Sequence, residues 1–237
     1  MYKIIGFVTL SLALVSQVQA AKVTGTCNPT QKGVKNFGLT YTIECPYNLK
    51  VQDRYEIFEK NRTHHMMVKS GDKPHDKSSD TNARTELSFK NYVYSSGTWE
   101  FSGDFYVPKS SNGFTIFQIF NEGKGSGDAT SLMINIFKGD LTVGQGKFKL
   151  LDDPRGSRYH NLRVRHNYDN GNIDVWVNGK KLHSTKAKGR GGPNRFKCGV
   201  YSKDGMSKEM HVYWANLDIK QVSRKSVGDH HHHHELE

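Results

Sequence analysis

Short runs of alternating apolar and polar residues, separated by Gly, Asn, Asp and Ser, constrain the fold of this chain more than any other feature. Alternation with a period of two places every second side chain on the same face of a β-strand. Such runs recur between residues 55 and 220, without an internal repeat or a long amphipathic helical pattern. The pattern predicts an all-β fold, an antiparallel sandwich or barrel. The predicted strands are Tyr55–Phe58, His64–Lys69, Thr85–Phe89, Thr98–Tyr106, Gly113–Phe120, Ser131–Phe137, Leu141–Val143, Asn161–Asn167, Ile173–Val177, Phe196–Ser202 and Met210–Lys220.

One turn is predicted in detail. Asn178-Gly179 separates the strand Ile173–Val177 from Lys180-Lys181-Leu182. An Asn-Gly pair between two strands favours a two-residue hairpin turn in which both residues adopt positive φ. No linker divides the chain, so residues 22–225 are expected to form a single domain.

Both ends of the chain are expected to lie outside that domain. Residues 1–21 combine Lys3, an apolar run and a small-residue ending, which is typical of a secretory signal peptide. The apolar run is too short to span a bilayer, so no membrane association is expected. Residues 226–237 contain five consecutive histidines and are interpreted as a disordered tail or a purification tag.

Three cysteines in an exported chain allow one disulfide and leave one thiol. Cys27 and Cys45 are close in sequence and are expected to pair. Cys198 alternates with Lys197 and Gly199, so we expect it to point into the core as a small hydrophobic residue.

Most tryptophans of a sandwich lie in the core, and we expect the same of Trp99, Trp176 and Trp214, with sugar stacking as the alternative.

The formal net charge of +11 favours a polyanionic partner. The chain has no compact basic helix and no recognised nucleic-acid motif, so an acidic polysaccharide fits an exported protein better than nucleic acid. A basic surface that serves solubility alone is the alternative. We expect a monomer without a cofactor, and no essential metal, because His64-His65 lacks both ligand spacing and an acidic partner.

Three predicted strands carry side chains suited to binding a carboxylate and transferring a proton. Alternation places Arg84 with Glu86, Gln118 with Phe120, and Lys197 with Tyr201, each pair on one face of its strand. A guanidinium and an amide can neutralise a carboxylate while a phenol moves protons. These are the requirements of β-elimination from a uronic-acid polymer.

The order Arg84-Thr85-Glu86-Leu87, Gln118-Ile119-Phe120 and Phe196-Lys197-Cys198-Gly199-Val200-Tyr201 resembles the alginate-lyase-like proteins of polysaccharide lyase family 7 and relatives such as glucuronan lyases. More of the chain, including Asp72-Lys73-Pro74-His75 and Tyr94–Phe101, resembles the plant citrate-binding-protein branch of that superfamily. The resemblance implies a jelly-roll sandwich whose concave sheet lines a polysaccharide groove.

Carried over by position, the resemblance implies that Arg84 and Gln118 bind the uronate carboxylate and that Tyr201 transfers protons. The family often has a histidine base where this chain has Phe120. With that base absent, Tyr201 would serve as both base and acid, as syn-elimination allows. Syn-elimination predicts glucuronan or polymannuronate as the substrate rather than polyguluronate.

The remaining candidates form the substrate-binding set, namely Glu86, Lys197, Lys203 and His75. Glu86 is expected to orient Arg84 or contact a hydroxyl, and the two lysines share the strand parity of Tyr201. One of His64, His65 and His75, which all precede Arg84, could replace the missing base in space. Two alternatives remain open: a non-catalytic binder of uronate chains or of carboxylates such as citrate, and a cell-wall structural or defence-related interaction protein.

Overall fold

A computed structural model describes residues 19–27, 32–123, 129–187 and 191–223. The expected tail at 226–237 lies outside these residues, as does the expected signal peptide except for its last three positions. Within the described ranges no helix is long and apolar enough to cross a membrane. The strands are β1 (Val34–Asn36), β2 (Leu39–Glu44), β3 (Tyr55–Phe58), β4 (Thr63–Lys69), β5 (Arg84–Ser88), β6 (Thr98–Tyr106), β7 (Phe114–Asn121), β8 (Thr130–Phe137), β9 (Asp140–Val143), β10 (Phe148–Leu151), β11 (His160–Asn167), β12 (Asn172–Val177), β13 (Lys180–Lys186), β14 (Asn194–Ser202) and β15 (Glu209–Ser223).

The strands form two antiparallel sheets, and the all-β jelly-roll sandwich is confirmed. The eight-stranded sheet has the order β1-β2-β5-β14-β7-β8-β9-β10, and the seven-stranded sheet has the order β13-β12-β11-β6-β15-β4-β3. Strands distant in sequence are neighbours, since β5, β14 and β7 lie side by side in the middle of the larger sheet. Three short 3₁₀ helices, Val51–Asp53, Glu59–Asn61 and Lys90–Tyr92, connect some of the strands.

The core lies between the two sheets and is rich in aromatic residues. The ring of Phe101 on β6 lies 4.6 Å from that of Phe117 on β7 and 5.6 Å from that of Trp214 on β15, centroid to centroid. All three side chains are fully buried. Pairs of this kind contribute about 0.5–1.5 kcal/mol each beyond the burial of their apolar area. These contacts hold the two sheets face to face.

Several local expectations are confirmed. Asn178 and Gly179 have φ values of 51° and 80°, as a two-residue hairpin turn requires. Cys27 and Cys45 form a disulfide, and Cys198 is a buried free thiol.

The expectation for the tryptophans is only partly confirmed. Trp214 is fully buried in the core, and Trp99 is partly buried against it. Trp176 does not lie in the core. Its neighbours Val175 and Val177 point inward, so strand alternation turns Trp176 to the outer face of the seven-stranded sheet.

Candidate functional site

The face of the eight-stranded sheet that is turned away from the core carries polar side chains, and we refer to it as the polar face. On β5, for example, Glu86 lies on the polar face while its neighbour Leu87 belongs to the core. All nine residues of β14 are buried, on both faces. Buried polar groups on this face must therefore find partners in one another.

Strand register brings the three predicted segments together. Tyr201 on β14 pairs with Arg84 on β5, and Lys197 pairs with Gln118 on β7. Between these rungs, Gly199 pairs with Glu86. Residues more than a hundred positions apart in sequence thus meet on one face within three adjacent strands.

Glu86 lies at the centre of the cluster and is fully buried. Its carboxylate accepts hydrogen bonds from Gln118 Nε2 at 2.8 and 2.9 Å and lies 3.3 Å from the Nη1 atom of Arg84. The other amide atom of Gln118, Oε1, accepts a hydrogen bond of 3.4 Å from Thr130. The amide of Gln118 is therefore engaged by the protein itself, whereas the sequence motif had suggested that it would bind a substrate carboxylate.

Sequence reasoning missed a second carboxylate, that of Glu44 on β2. Glu44 accepts hydrogen bonds of 2.9 and 3.0 Å from Lys197 Nζ and lies 3.7 Å from Arg84 Nη1. Burial alone would raise the pKa of Glu44, but attraction to Lys197 and Arg84 outweighs it and lowers the pKa to about 2. Burial lowers the pKa of Lys197, and the charge of Glu44 opposes that shift. The sequence signal for Glu44 was Lys197 itself, because a lysine on a buried strand requires an acidic partner.

Arg195 was also missed. Its Nε donates to Ser88 Oγ at 3.0 Å, and its Nη1 forms an ion pair with Glu122 at the end of β7. The guanidinium carbon lies 4.7 Å from the ring centroid of Phe120, and Lys197 Nζ lies 4.1 Å from the same centroid. Phe120, at the position where the family often has a histidine, therefore has its ring in contact with two cations.

Tyr201 lies between two cationic side chains that contact its ring. Arg84 Cζ and Lys203 Nζ are each 3.9 Å from the ring centroid, and Tyr201 is 8% exposed. Burial and, next, repulsion by Arg84 lower the pKa of Lys203 to about 8. The phenol ring is therefore in direct contact with two positively charged side chains.

Two nitrogen atoms of the predicted site residues are buried without a hydrogen-bond partner among the described residues, Arg84 Nε and His75 Nδ1. The pKa of His75 is lowered first by burial and then by the positive charge of Arg84, so His75 lies within reach of the cluster. Lys203 forms no ion pair within the described part of the chain. Within the described residues, these three side chains are members of the cluster with a nitrogen or a charge that no protein acceptor takes up.

The charge of the cluster supports this assignment. Arg84, Arg195, Lys197 and Lys203 face the carboxylates of Glu44 and Glu86, with Glu122 at the margin. Cations therefore outnumber carboxylates. A buried excess of positive charge is stabilised by an anionic ligand.

Two cavities of about 410 and 270 Å³ lie elsewhere on the molecule and contain none of these residues. Among the described residues, no group of three His, Cys, Asp or Glu side chains is arranged to hold a metal ion.

Comparison with known proteins is consistent with this arrangement. The family model described as alginate lyase matches residues 36–221. A citrate-binding protein of Hevea brasiliensis is 31% identical over 194 residues, which cover 81% of this chain and 78% of that protein.

Solved structures of alginate lyases share the fold. The alginate lyase AlgAT5 of polysaccharide lyase family 7 has a TM-score of 0.59 at 17% identity, covering 76% of this chain and 93% of its own. The alginate lyase of Corynebacterium sp. has a TM-score of 0.55 at 15% identity, covering 70% and 80%. From the family match and the 31% identical relative together, this chain belongs to the alginate lyase family of jelly-roll proteins.

Proposed function

We propose that this protein is a polysaccharide lyase that cleaves a uronate polymer by syn-β-elimination, with Tyr201 as both base and acid. The observation that carries the proposal is the position of the phenol, which is in contact with Arg84 and Lys203 at 3.9 Å each. Both cations therefore lie next to the residue that would remove the proton in the first step.

The reaction balances with one residue. The Tyr201 phenolate removes the proton from C5 of the uronate, and the electron pair of that C–H bond forms the C4=C5 double bond. The C4–O glycosidic bond breaks, and its electron pair leaves on the glycosidic oxygen. That oxygen takes the proton back from the Tyr201 hydroxyl, so the side chain returns to its starting state.

Stereochemistry selects the polymer. In β-1,4-linked D-glucuronate and D-mannuronate the C5 proton and the C4 oxygen lie on the same side of the ring, so one residue reaches both. In L-guluronate they lie on opposite sides, and elimination needs a second group. Phe120 supplies no such group, and glucuronan or polymannuronate is therefore the proposed substrate.

The substrate carboxylate is assigned to Arg84 Nε, Lys203 Nζ and His75 rather than to Gln118. Among the described residues, Arg84 Nε and His75 Nδ1 have no hydrogen-bond partner and Lys203 has no ion pair, whereas Gln118 Nε2 donates to Glu86. Gln118 and Glu86 then act as positioning residues that hold Arg84 against Tyr201. Cationic donors placed where negative charge develops during C5 deprotonation contribute a few kcal/mol each to transition-state stabilisation.

A second candidate function is the binding of uronates or small carboxylates such as citrate without catalysis. Phe120 favours it, because the ring packed beneath Lys197 and Arg195 cannot act as a base. The name of the 31% identical relative from Hevea brasiliensis, citrate-binding protein, supports this second function. Both functions use the same excess of positive charge.

One assay separates the two functions. The protein is incubated with glucuronan, polymannuronate and polyguluronate, and the ultraviolet absorbance of the unsaturated uronate product is followed. A lyase gives a rising signal on one of the first two polymers, and Tyr201→Phe lowers the rate by about 10²–10⁴-fold while polymer binding is retained. A flat trace on every polymer, with binding still detectable, overturns the lyase and supports the binding protein.

We also propose that the protein acts outside the cell as a monomer. The Cys27–Cys45 disulfide supports export, because disulfides persist in oxidising compartments.

A further inference from the structure

The outer face of the seven-stranded sheet carries an aromatic residue surrounded by cations. Trp176 on β12 pairs in register with Arg163 on β11 and with Lys181 on β13. Arg163 Cζ lies 4.0 Å from the indole centroid, Arg165 Cζ 5.3 Å and Lys181 Nζ 5.7 Å. Three positive charges are thus gathered around one ring.

A buried carboxylate lies beneath these cations. Glu100 on β6 is 4% exposed and accepts from Arg165 Nε at 2.9 Å. Its carboxylate also lies 3.8 Å from Arg163 Nη1 and 3.8 Å from Lys220 Nζ. Glu100 thereby fixes the direction of the Arg165 guanidinium from below.

The cations themselves extend towards solvent. The side chains of Arg163 and Arg165 are 33% and 36% exposed, and that of Lys181 is 50% exposed. Besides Glu100, the carboxylate beside them is that of Asp174, which lies 3.2 Å from Lys181 Nζ and also accepts from Ser184. The exposed layer around Trp176 is therefore cationic, with Glu100 and Asp174 below it, and the exposed Asp218 lies two residues from Lys220 on β15.

We infer that this surface is a second binding site for an acidic polysaccharide, separate from the cluster around Tyr201. We refer to Arg163, Arg165, Trp176, Lys181 and Lys220 as the outer basic patch. The uronate character of the ligand rests on the proposed function. The polyanionic character rests on the patch alone.

The position of the patch excludes one sugar bound to both sites. The cluster around Tyr201 lies on the polar face of one sheet, and the patch lies on the outer face of the other, with the core between them. Face-to-face sheets are about 10 Å apart. A polymer on the patch is therefore a separate stretch of chain or a separate molecule, and the patch would keep the protein attached to its polymer between cleavage events.

The chemistry of the patch suits a chain of sugar acids. Arginine forks bind carboxylates in a bidentate manner, and a partly exposed indole offers apolar contact to the C–H face of a pyranose. A simpler explanation, that lysines on an edge strand discourage strand pairing, accounts for Lys181 on β13. It does not account for Trp176 and the two arginines, which lie on strands inside the sheet.

The test compares polymer binding with cleavage of short substrates. The double variant Arg163→Gln/Lys181→Gln removes two exposed charges and leaves the Arg165–Glu100 ion pair in place. We expect its affinity for long polymannuronate, measured by affinity electrophoresis and calorimetry, to fall roughly tenfold, while hydroxyl-rich neutral dextran shows no binding to either protein. Turnover of a short mannuronate oligomer should be unchanged.

A matched control loses the same charge elsewhere. Lys35→Gln/Lys50→Gln alters two exposed lysines, one on β1 at an edge of the eight-stranded sheet and one directly before the 3₁₀ helix Val51–Asp53. Equal polymer affinity in the patch variant and this control overturns the inference, because net charge alone would then explain binding. Trp176→Phe provides a second readout, and unchanged polymer affinity in that variant overturns the role of the indole.

Failure of the proposed function gives a different result. If no uronan is cleaved but the patch variant still loses affinity, the lyase is wrong and the patch stands. Binding is therefore also measured in Tyr201→Phe, which should retain the full polymer affinity.

Discussion

Arg84 and Tyr201 are paired residues on adjacent strands, and the guanidinium carbon of Arg84 lies 3.9 Å from the centroid of the phenol ring. Glu86 holds the guanidinium from one side at 3.3 Å, while Arg84 Nε stays buried without a partner in the described residues. A planar cation is thus fixed against a phenol with one donor open. This pairing is the geometric basis of the proposed chemistry.

The first prediction concerns the shape of this cation. Arg84→Lys keeps the positive charge but loses the planar fork and the Nε donor. We expect kcat/KM on polymannuronate to fall by about 10–100-fold, which corresponds to about 1.4–2.7 kcal/mol of transition-state stabilisation. Steady-state rates measure the change, and the melting temperature serves as the control for folding. A rate within twofold of the parent would contradict the assignment.

The second prediction concerns Lys203. Its ammonium has a pKa of about 8, so the charge is present below pH 8 and is lost as the pH rises through that value. Uronate binding should therefore weaken above pH 8 in the parent protein. Lys203→Arg keeps its charge at higher pH, so the pH at which binding weakens (the alkaline limb of the pH profile) should rise. Lys203→Met has no charge to lose, so the alkaline limb should be absent. An identical alkaline limb in all three proteins would show that another group titrates.

The third prediction concerns acid stability. The folded pKa of Glu44, about 2, lies below its ordinary value of 4.5, so Glu44 stabilises the fold above pH 4.5 and loses that effect as the pH falls towards 2. The difference corresponds to on the order of 3 kcal/mol. Glu44→Gln should flatten the dependence of the free energy of unfolding on pH in this window. Urea titrations at several pH values measure it, with Glu59→Gln, a change at an exposed carboxylate, as a control that should change little.

Much of the fold could be predicted from sequence, because inward and outward side chains alternate along most strands. The strand Thr98–Tyr106 was predicted with its observed limits. β13 was not predicted as a full strand, since it is an edge strand with exposed, lysine-rich residues and no apolar alternation. Trp176 was predicted in the core but lies on the outer face. Its ring packs there against Arg163 from the neighbouring strand, a contact that the sequence of β12 alone does not indicate.

The site was only partly predictable for a related reason. Alternation within a strand indicates which side chains share a face, so Arg84 with Glu86 and Lys197 with Tyr201 could be expected together. It carries no information on register between strands. Register is what places Glu44 beside Lys197 and Glu86 beside Gln118.

The fourth prediction concerns Gly199, which lies at a register shift between β14 and β7 just before Tyr201. Its φ is 151°, and a Cβ atom there would lie 2.2 Å from the backbone oxygen of Thr85. Gly199→Ala should therefore destabilise the fold by more than about 2 kcal/mol and lower activity together with stability. Gly205→Ala is the matched control, because its φ is also positive but its Cβ would meet no atom within 4 Å. Equal melting temperatures for the two variants would refute the steric argument.

The last prediction concerns Phe120, whose ring contacts Lys197 and Arg195. A histidine introduced there by Phe120→His would be kept neutral by these cations, because nearby positive charge lowers the pKa of an imidazole. A neutral imidazole can remove a proton that Tyr201 does not reach, with Tyr201 then acting as the acid. We expect the rate on polyguluronate, relative to polymannuronate, to rise at least about tenfold, the lower end of what a positioned base contributes. Phe120→Asn is the control, since an amide is polar but is not a base. If both variants leave the ratio of the two rates unchanged, the missing histidine does not determine which uronate is cleaved.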